Sequence, residues 1–104
     1  SPRALDADVE LTVFRIAQEQ VSNILKHARA SEVRIQLSYP EDLVVLQISD
    51  NGIGFDVNNT RKGLGLHNIL NRAEHYGGKA ELISEPGNGC VLRVILPVHS
   101  RKFD

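Results

Sequence analysis

Hydrophobic and polar residues follow two different periods along the chain, and each change of period predicts a change of secondary structure. Between residues 9 and 28, apolar side chains recur every three or four positions, which predicts an amphipathic helix. Between residues 33 and 39 they alternate with polar ones, which predicts a half-buried strand that ends at Pro40. We expect the helix to bury a single stripe, formed by Val13, Ala17, Val21, Ile24 and Ala28.

The next part of the chain is a strand followed by a glycine-rich segment. Residues 43–50 are apolar on both faces, which is typical of a central strand. Residues 51–65 contain four glycines and show no period. A segment of this length without secondary structure is usually functional in a compact domain. We therefore expect residues 51–65 to form part of a site.

A helix and two strands complete the predicted elements. The helical period returns at Leu66 and stops at Gly77-Gly78, because glycine suits a helix C-terminus. Residues 79–85 and 90–97 alternate again around a Pro-Gly-Asn-Gly stretch, which predicts a β-hairpin. One-striped helices beside an alternating sheet predict an α/β (α+β) two-layer sandwich with the helices on one face. We expect residues 98–104 to be loosely held.

Composition narrows the possible function classes. A chain of 104 residues suffices for a single domain with its own core, which we place at about residues 9–97. A formal net charge of −1 gives no general attraction to nucleic acid or to an anionic membrane. The single cysteine, Cys90, excludes an internal disulfide. No apolar stretch reaches the ~18 residues of a membrane span. Since the chain contains no methionine, we expect it to be a fragment of a longer polypeptide.

Residues 50–55, D-N-G-I-G-F, begin at the last residue of the predicted central strand. Alternation places Asp50 on the same face as Val44, Leu46 and Ile48, which is the more apolar face and the one we expect beneath the helices. A carboxylate on that face needs hydrogen-bond donors to offset its desolvation. The donors could be backbone amides of a simple turn, as is common for Asp, or they could belong to a ligand.

A second polar cluster lies on the first predicted helix. Glu19, Asn23 and Lys26 fall within a narrow arc opposite the apolar stripe. An amide oxygen suits a hard cation that shares its shell with phosphate, an ammonium suits phosphate oxygens, and a carboxylate can accept a proton. The alternative is an ordinary solvated helix face.

Residues 61–66, R-K-G-L-G-L, lead directly into the second helix. Glycines let the backbone approach a ligand, and unpaired amides at a helix start attract anions. The spacing differs both from the G-x-x-x-x-G-K-[ST] phosphate loop and from the G-x-G-x-x-G dinucleotide motif. The G-L-G sequence alone is therefore a weak signal.

In their order, the motifs E-x-x-x-N-x-x-K-H-A, D-N-G-I-G-F and K-G-L-G-L resemble the N box and the two glycine boxes of the GHKL ATPases, which have the Bergerat fold. The chain looks like the ATP-binding catalytic domain of a bacterial sensor histidine kinase. The short stretch between Phe55 and Gly63 resembles the reduced ATP lid of the branch that works with response regulators of the nitrate and desaturase type. The resemblance implies a mixed β-sheet. Because only eight residues precede Val9, we expect the first strand of this family to be lacking.

The resemblance also implies roles for positions in the N box and in the first glycine box. Asp50 would bind the exocyclic amine of adenine, and Gly52 and Gly54 would shape the rim of the pocket. Glu19 occupies the position of the hydrolytic base in the true ATPases of the superfamily.

At the phosphate end, Asn23 would hold Mg²⁺, and Lys26 and His27 would contact phosphates. The positions implied along the lid are Lys62, Gly63, Gly65 and Leu66.

The implied function is to bind ATP-Mg²⁺ and to supply the γ-phosphate for histidine autophosphorylation in a two-component sensor kinase. None of the four histidines, His27, His67, His75 and His99, stands in a phosphoacceptor context. We therefore expect the isolated chain to bind ATP or ADP with little or no autokinase activity. The phosphoacceptor helices, any homodimer contact made through them and the response regulator would involve the parent protein. That protein would hold this domain in the cytoplasm, whether or not it is anchored in a membrane.

Two alternatives remain open. The first is another GHKL enzyme, either an anti-sigma-factor serine kinase or a hydrolysing ATPase. The second is a catalytically silent module that senses nucleotides or binds proteins. The combination of Glu19, Asn23, Lys26 and Asp50 favours an active nucleotide site over the second alternative.

Overall fold

The computed structural model describes residues 5–54 and 66–99 and contains the predicted helices and strands in the predicted order. Helix α1 continues directly into a single π-helical turn, which we call the π-turn. The elements are α1 Ala7–Asn23, the π-turn Ile24–Ala28, β1 Val33–Ser38, β2 Leu43–Asp50, α2 Leu66–His75, β3 Lys79–Ser84 and β4 Cys90–Pro97.

The four strands form one sheet in the order β1-β2-β4-β3, and every neighbouring pair is antiparallel. The two-layer sandwich is confirmed, but the prediction of a mixed sheet is wrong for the described strands. The pairs β1-β2 and β3-β4 are hairpins with short connections, which can only be antiparallel. Strand β3 does run parallel to β2, but β4 lies between them, so no two parallel strands are in contact.

The core lies between the inner face of the sheet and the two helices, which both pack on that face. Val44, Leu46 and Ile48 of β2 are buried there, as the alternation predicts. Asp50 follows them on the same face, so its carboxylate lies at the helix-covered end of β2. Every second residue of β4, from Cys90 to Leu96, is buried on this face as well.

Helix α1 faces the sheet with a different stripe from the predicted one. Its most buried side chains, together with the first residue of the π-turn, are Val9, Thr12, Ile16, Gln20 and Ile24. At 100° per residue this stripe is rotated by roughly 80° from the predicted stripe. The sequence pattern predicts the wrong stripe because α1 has apolar residues on more than one face, whereas only one face packs against the sheet.

Two consequences follow from this rotation. Glu19 and Asn23 lie half-buried beside the covered face instead of opposite it. Some of the remaining apolar side chains face outward, and Phe14 and Leu25 are 59% and 80% exposed. With Ala17 and Val21 they line an open groove on the outer side of α1.

Strand β1 is more exposed than its alternating sequence predicts. Val33, Ile35 and Leu37 face the helix side of the sheet, yet they are 44%, 53% and 46% exposed. The helices pack over β2, β4 and β3, so the edge strand β1 has little above it. Alternation correctly predicts the strand, whereas the burial depends on where the helices lie.

Part of the C-terminal segment is fixed, in contrast to the expectation for residues 98–104. The backbone N–H of Val98 donates to the carbonyl of Asp42 at 2.9 Å, and its carbonyl accepts from Asp6 N–H at 3.0 Å. His99 contacts the Asp6 carboxylate at 3.1 Å. Residues 100–104 lie outside the described residues.

Candidate functional site

The two oxygens of Asp50 have different environments. Oδ1 accepts the backbone N–H of Gly52 at 2.8 Å, which is the turn-capping contact expected of Asp after a strand. Oδ2 is buried and has no hydrogen-bond partner among the described residues. A buried carboxylate oxygen without a donor is costly, and such groups are rare outside functional sites. Asp50 is therefore a turn cap through one oxygen and a candidate ligand-binding group through the other.

Asp50 belongs to a polar row across one end of the sheet. Antiparallel register places Asp50 of β2 opposite Cys90 of β4, and Cys90 opposite Ser84 of β3. The Ser84 hydroxyl donates to the carbonyl of Gly89 at 2.7 Å. Three neighbouring strands thus present a carboxylate, a thiol and a hydroxyl at the same end of the buried face.

The Cys90 thiol has a raised pKa. Burial is the main cause, and the nearby Asp50 carboxylate adds to it, since both disfavour a thiolate. The side chains of Gln20 and Ser84 act in the opposite direction through their contacts with the thiol, and the net result is a pKa of about 11. At neutral pH the sulfur beside Asp50 is therefore a protonated, neutral group.

Helix α1 crosses above this row and brings further polar groups to it. Gln20 is buried at 3% exposure, and its Nε2 donates to Sγ of Cys90 at 3.8 Å. Asn23, one turn later, donates its Nδ2 to Oε1 of Gln20 at 3.4 Å. The predicted magnesium ligand Asn23 is thereby connected through Gln20 and Cys90 to the surroundings of Asp50.

The remaining N-box positions lie farther out. Glu19 is half-buried on α1, whereas Lys26 and His27 are exposed on the π-turn. Lys26 borders the outer groove together with Leu25. The roles of Glu19, Lys26 and His27 toward a nucleotide remain predictions.

Gly52 and Gly54 hold the D-N-G-I-G segment tightly between two neighbours. A Cβ at Gly52 would lie 2.2 Å from the carbonyl oxygen of Ala28, at the end of the π-turn. A Cβ at Gly54, whose φ is +65°, would lie 2.1 Å from the carbonyl oxygen of Glu85. Close approach of main chains requires glycine at both positions, so they fix the loop that carries Asp50.

Asn51 ties the same segment to the connection between the π-turn and β1. Its Oδ1 accepts the backbone N–H groups of Ser31 and Glu32, both at 2.9 Å, and its Nδ2 donates to the Ser31 hydroxyl at 2.8 Å. Asn51 therefore has a structural role in holding Asp50 near the end of the N box.

Several predicted positions lie outside the described residues, namely Lys62, Gly63 and Gly65. Leu66 is the first residue of α2. Within residues 5–54 and 66–99, no group of three or more His, Cys, Asp or Glu side chains is arranged to hold a metal ion. In the same ranges, no helix is long and apolar enough to cross a membrane.

Four residues near Asp50 were not predicted to belong to the site, namely Gln20, Asn51, Ser84 and Cys90. A polar residue on the covered face of a helix is a usable signal, and Gln20 follows Val9 and Ile16 at helical spacing. The Asp50–Cys90 pair depends on which strands become neighbours, and no local pattern encodes that choice.

Comparison with known proteins agrees with this arrangement. Residues 8–100 match the model of the histidine kinase-, DNA gyrase B- and HSP90-like ATPases. The chain therefore belongs to this ATPase family, which confirms the resemblance seen in the N and glycine boxes and implies that the domain binds ATP.

Relatives within the family are sensor histidine kinases. The chain is 36% identical over 96 residues to the sensor histidine kinase LiaS of Bacillus subtilis, covering 91% of this chain and 27% of LiaS. It is 34% identical over 93 residues to the signal transduction histidine-protein kinase/phosphatase DegS of the same organism, covering 86% of this chain and 24% of DegS. The chain thus spans about a quarter of the length of these curated relatives.

Solved structures show the same fold. The blue-light activated histidine kinase of Erythrobacter litoralis EL346 superposes with a TM-score of 0.71 at 17% identity, covering 84% of this chain and 30% of that chain. The histidine kinase AdeS of Acinetobacter baumannii superposes with a TM-score of 0.70 at 14% identity, covering 84% of this chain and 46% of that chain.

Proposed function

We propose that this domain binds ATP together with Mg²⁺ and presents the γ-phosphate to a histidine carried elsewhere in a two-component sensor kinase. The observation that carries the proposal is the buried Oδ2 of Asp50, which lacks a donor among the described residues. The exocyclic amine of adenine is a donor of the required kind. Its hydrogen bond to a carboxylate would be charge-assisted and therefore stronger than a neutral one.

Asp50 lies at the end of a row of buried apolar side chains that includes Ile48 and Leu92, and the neighbouring Cys90 is neutral at physiological pH. Near Asp50 the carboxylate is therefore the charged group that could orient a base. Gly52, through its hydrogen bond to Oδ1, holds the carboxylate so that Oδ2 is the oxygen left for the amine.

Asn23 is the residue that we assign to the magnesium and phosphate end. Mg²⁺ is typically held by few protein oxygens, because phosphate oxygens and water supply the other ligands, and the cation neutralises phosphate charge. The Asn23 amide nitrogen donates to Gln20, and the amide oxygen is the atom that we assign to the cation.

The contribution of this domain to phosphoryl transfer would be positioning and charge neutralisation, which dominate this chemistry. The partners would be the phosphoacceptor helices of the parent kinase and, through the complete protein, a response regulator. The names of the relatives LiaS and DegS support a sensor kinase of this kind. A cytoplasmic location of the domain is part of the proposal.

Calorimetric titration of the domain with ADP, in Mg²⁺ and in EDTA, tests this function. Wild-type protein should bind ADP, and Mg²⁺ should strengthen binding. Asn23→Ala should remove most of the Mg²⁺-dependent gain while leaving binding in EDTA nearly unchanged. Steady ATP hydrolysis by the isolated domain that is lost in Glu19→Ala would instead indicate a hydrolysing ATPase. Binding without any effect of Mg²⁺ would indicate a silent nucleotide-sensing module.

A further inference from the structure

The buried amide of Gln20 contacts both halves of the proposed nucleotide site. Burial of an amide is unfavourable unless its donor and acceptor are used. In this structure both are used, since Nε2 donates to Sγ of Cys90 at 3.8 Å and Oε1 accepts from Nδ2 of Asn23 at 3.4 Å. A side chain that only filled space at 3% exposure could be apolar, like the neighbouring Ile16 and Ile24.

One contact of Gln20 lies at the base end of the site. Cys90 is opposite Asp50 in the sheet and interacts with it electrostatically. Because the thiol stays protonated, its sulfur is a neutral acceptor for the Gln20 amide. A displacement of Cys90 would therefore be transmitted to Gln20 on one side and to Asp50 on the other.

The other contact lies at the phosphate end. Gln20 and Asn23 are three positions apart on α1, which places them on the same side of the helix. A planar amide that is held by its nitrogen has the direction of its oxygen fixed as well. Groups that orient a metal ligand in this way often matter to binding about as much as a ligand does.

We propose that Gln20 is a positioning residue that orients the Asn23 amide for Mg²⁺-nucleotide binding and couples it, through Cys90, to the adenine-binding Asp50. The proposal rests on the proposed function, because it assigns Asn23 to the metal and Asp50 to the base. Its distinctive consequence is that a change at Cys90, on β4, alters the effect of Mg²⁺ through Gln20.

The measured quantity is the Mg²⁺ gain, defined as the dissociation constant of ADP in EDTA divided by that in Mg²⁺. Gln20→Met keeps a side chain of similar length but can neither donate to Cys90 nor hold the Asn23 amide. It should reduce the Mg²⁺ gain about tenfold, the loss typical when an orienting partner of a metal ligand is removed. Gln18→Met is the matched control, since Gln18 is exposed on the same helix, and it should leave the gain unchanged.

A double-mutant cycle with Cys90→Ala tests the coupling. Cys90→Ala should reduce the Mg²⁺ gain in the wild-type background and should have no further effect on it in Gln20→Met. Equal, additive effects in both backgrounds would overturn the coupling, and an unchanged gain in Gln20→Met would overturn the positioning role. If Gln20→Met does not fold, an unchanged gain in Cys90→Ala overturns the proposal by itself.

The wild-type titration separates this inference from the function on which it rests. If wild-type protein binds no ADP, the proposed function fails and the inference fails with it. If it binds ADP with a Mg²⁺ gain that Gln20→Met and Gln18→Met both retain, only the inference fails.

Discussion

Asp50 at the end of β2 and Cys90 at the start of β4 are directly opposed in antiparallel register, on the face of the sheet that the helices cover. This relationship places a carboxylate, one buried oxygen of which has no hydrogen-bond partner among residues 5–54 and 66–99, next to a protonated thiol. Above the pair, Gln20 of α1 contacts the thiol. Part of the N box and the first glycine box thus meet at one end of the sheet.

The reactivity of Cys90 should report this environment. With a pKa of about 11, the thiolate fraction at pH 8 is roughly a hundredfold smaller than for an ordinary thiol, so alkylation should be slower by at least that factor. The rate should rise about tenfold per pH unit up to pH 10. Iodoacetamide labelling followed by mass spectrometry measures this directly, because Cys90 is the single cysteine. A rate that levels off near pH 9 would contradict the raised pKa.

Any side chain at Gly52 should destabilise the domain and also disturb the candidate site, because Gly52 packs against Ala28 and lies in the loop that carries Asp50. In Gly52→Ala the new Cβ meets the Ala28 carbonyl, so the loop that carries Asp50 must move away from the π-turn. We expect a loss of about 1–3 kcal/mol in the free energy of unfolding, as for other overpacked positions, together with weaker ADP binding. Urea denaturation and calorimetry measure the two effects.

Gly78 supplies the matched control for that experiment. A Cβ there would lie 2.1 Å from the carbonyl of Ile95, which is an equally close contact at the other end of the sheet. Gly78→Ala should destabilise the domain to a similar degree and leave the affinity of the folded protein for ADP unchanged. If both variants bind ADP like the wild type, the loop position is not linked to the site.

Substitution of Asn51 should lower the stability of the domain more than it disturbs contacts with a ligand. Asn51→Ala removes the acceptor for two backbone N–H groups and the donor to Ser31, and we expect a loss of about 1–2 kcal/mol. Asn51→Asp keeps the acceptor oxygen and should retain most of this stability. Denaturation curves of the two variants and the wild type measure the free energies of unfolding. Equal stability of Asn51→Ala and wild type would show that the Asn51 contacts do not stabilise the domain.

Much of the fold could be predicted from local sequence because its cause is local. The period-two alternation of residues 43–50 correctly places Asp50 on the helix-covered face, and the Pro-Gly-Asn-Gly turn correctly predicts the β3-β4 hairpin. The order of helices and strands was likewise sufficient to predict a two-layer sandwich.

The errors concern which surface covers which residue, and that is decided by tertiary packing. The apolar stripe through Ala17 and Val21 was predicted to be the buried face of α1, but it partly lines an open groove. Strand β1 was predicted to bury one face, but the helices leave this edge strand largely uncovered and Ile35 is 53% exposed. The mixed sheet was inferred from resemblance, whereas the described strand order brings only antiparallel strands together.

The candidate site was predictable only in part for the same reason. Asp50 and Asn23 can be predicted from the sequence, because each belongs to a short motif of residues that are close together along the chain. Gln20 and Cys90 join the site through a contact between residues 70 positions apart, which no local pattern contains.

The central claim is that Asp50 binds the amine of adenine, and a comparison of two nucleotides tests it most directly. Calorimetry would compare ADP with inosine diphosphate, which carries a carbonyl oxygen in place of the amine, for wild type and Asp50→Asn. Wild type should prefer ADP, and Asp50→Asn should bind ADP about tenfold more weakly or worse, since a hydrogen bond to a charged group contributes about 1.5–3 kcal/mol. The Asn amide can donate to the inosine carbonyl. In Asp50→Asn the preference for ADP over inosine diphosphate should therefore become smaller or reverse. Equal affinity of wild type and Asp50→Asn for ADP would contradict the account.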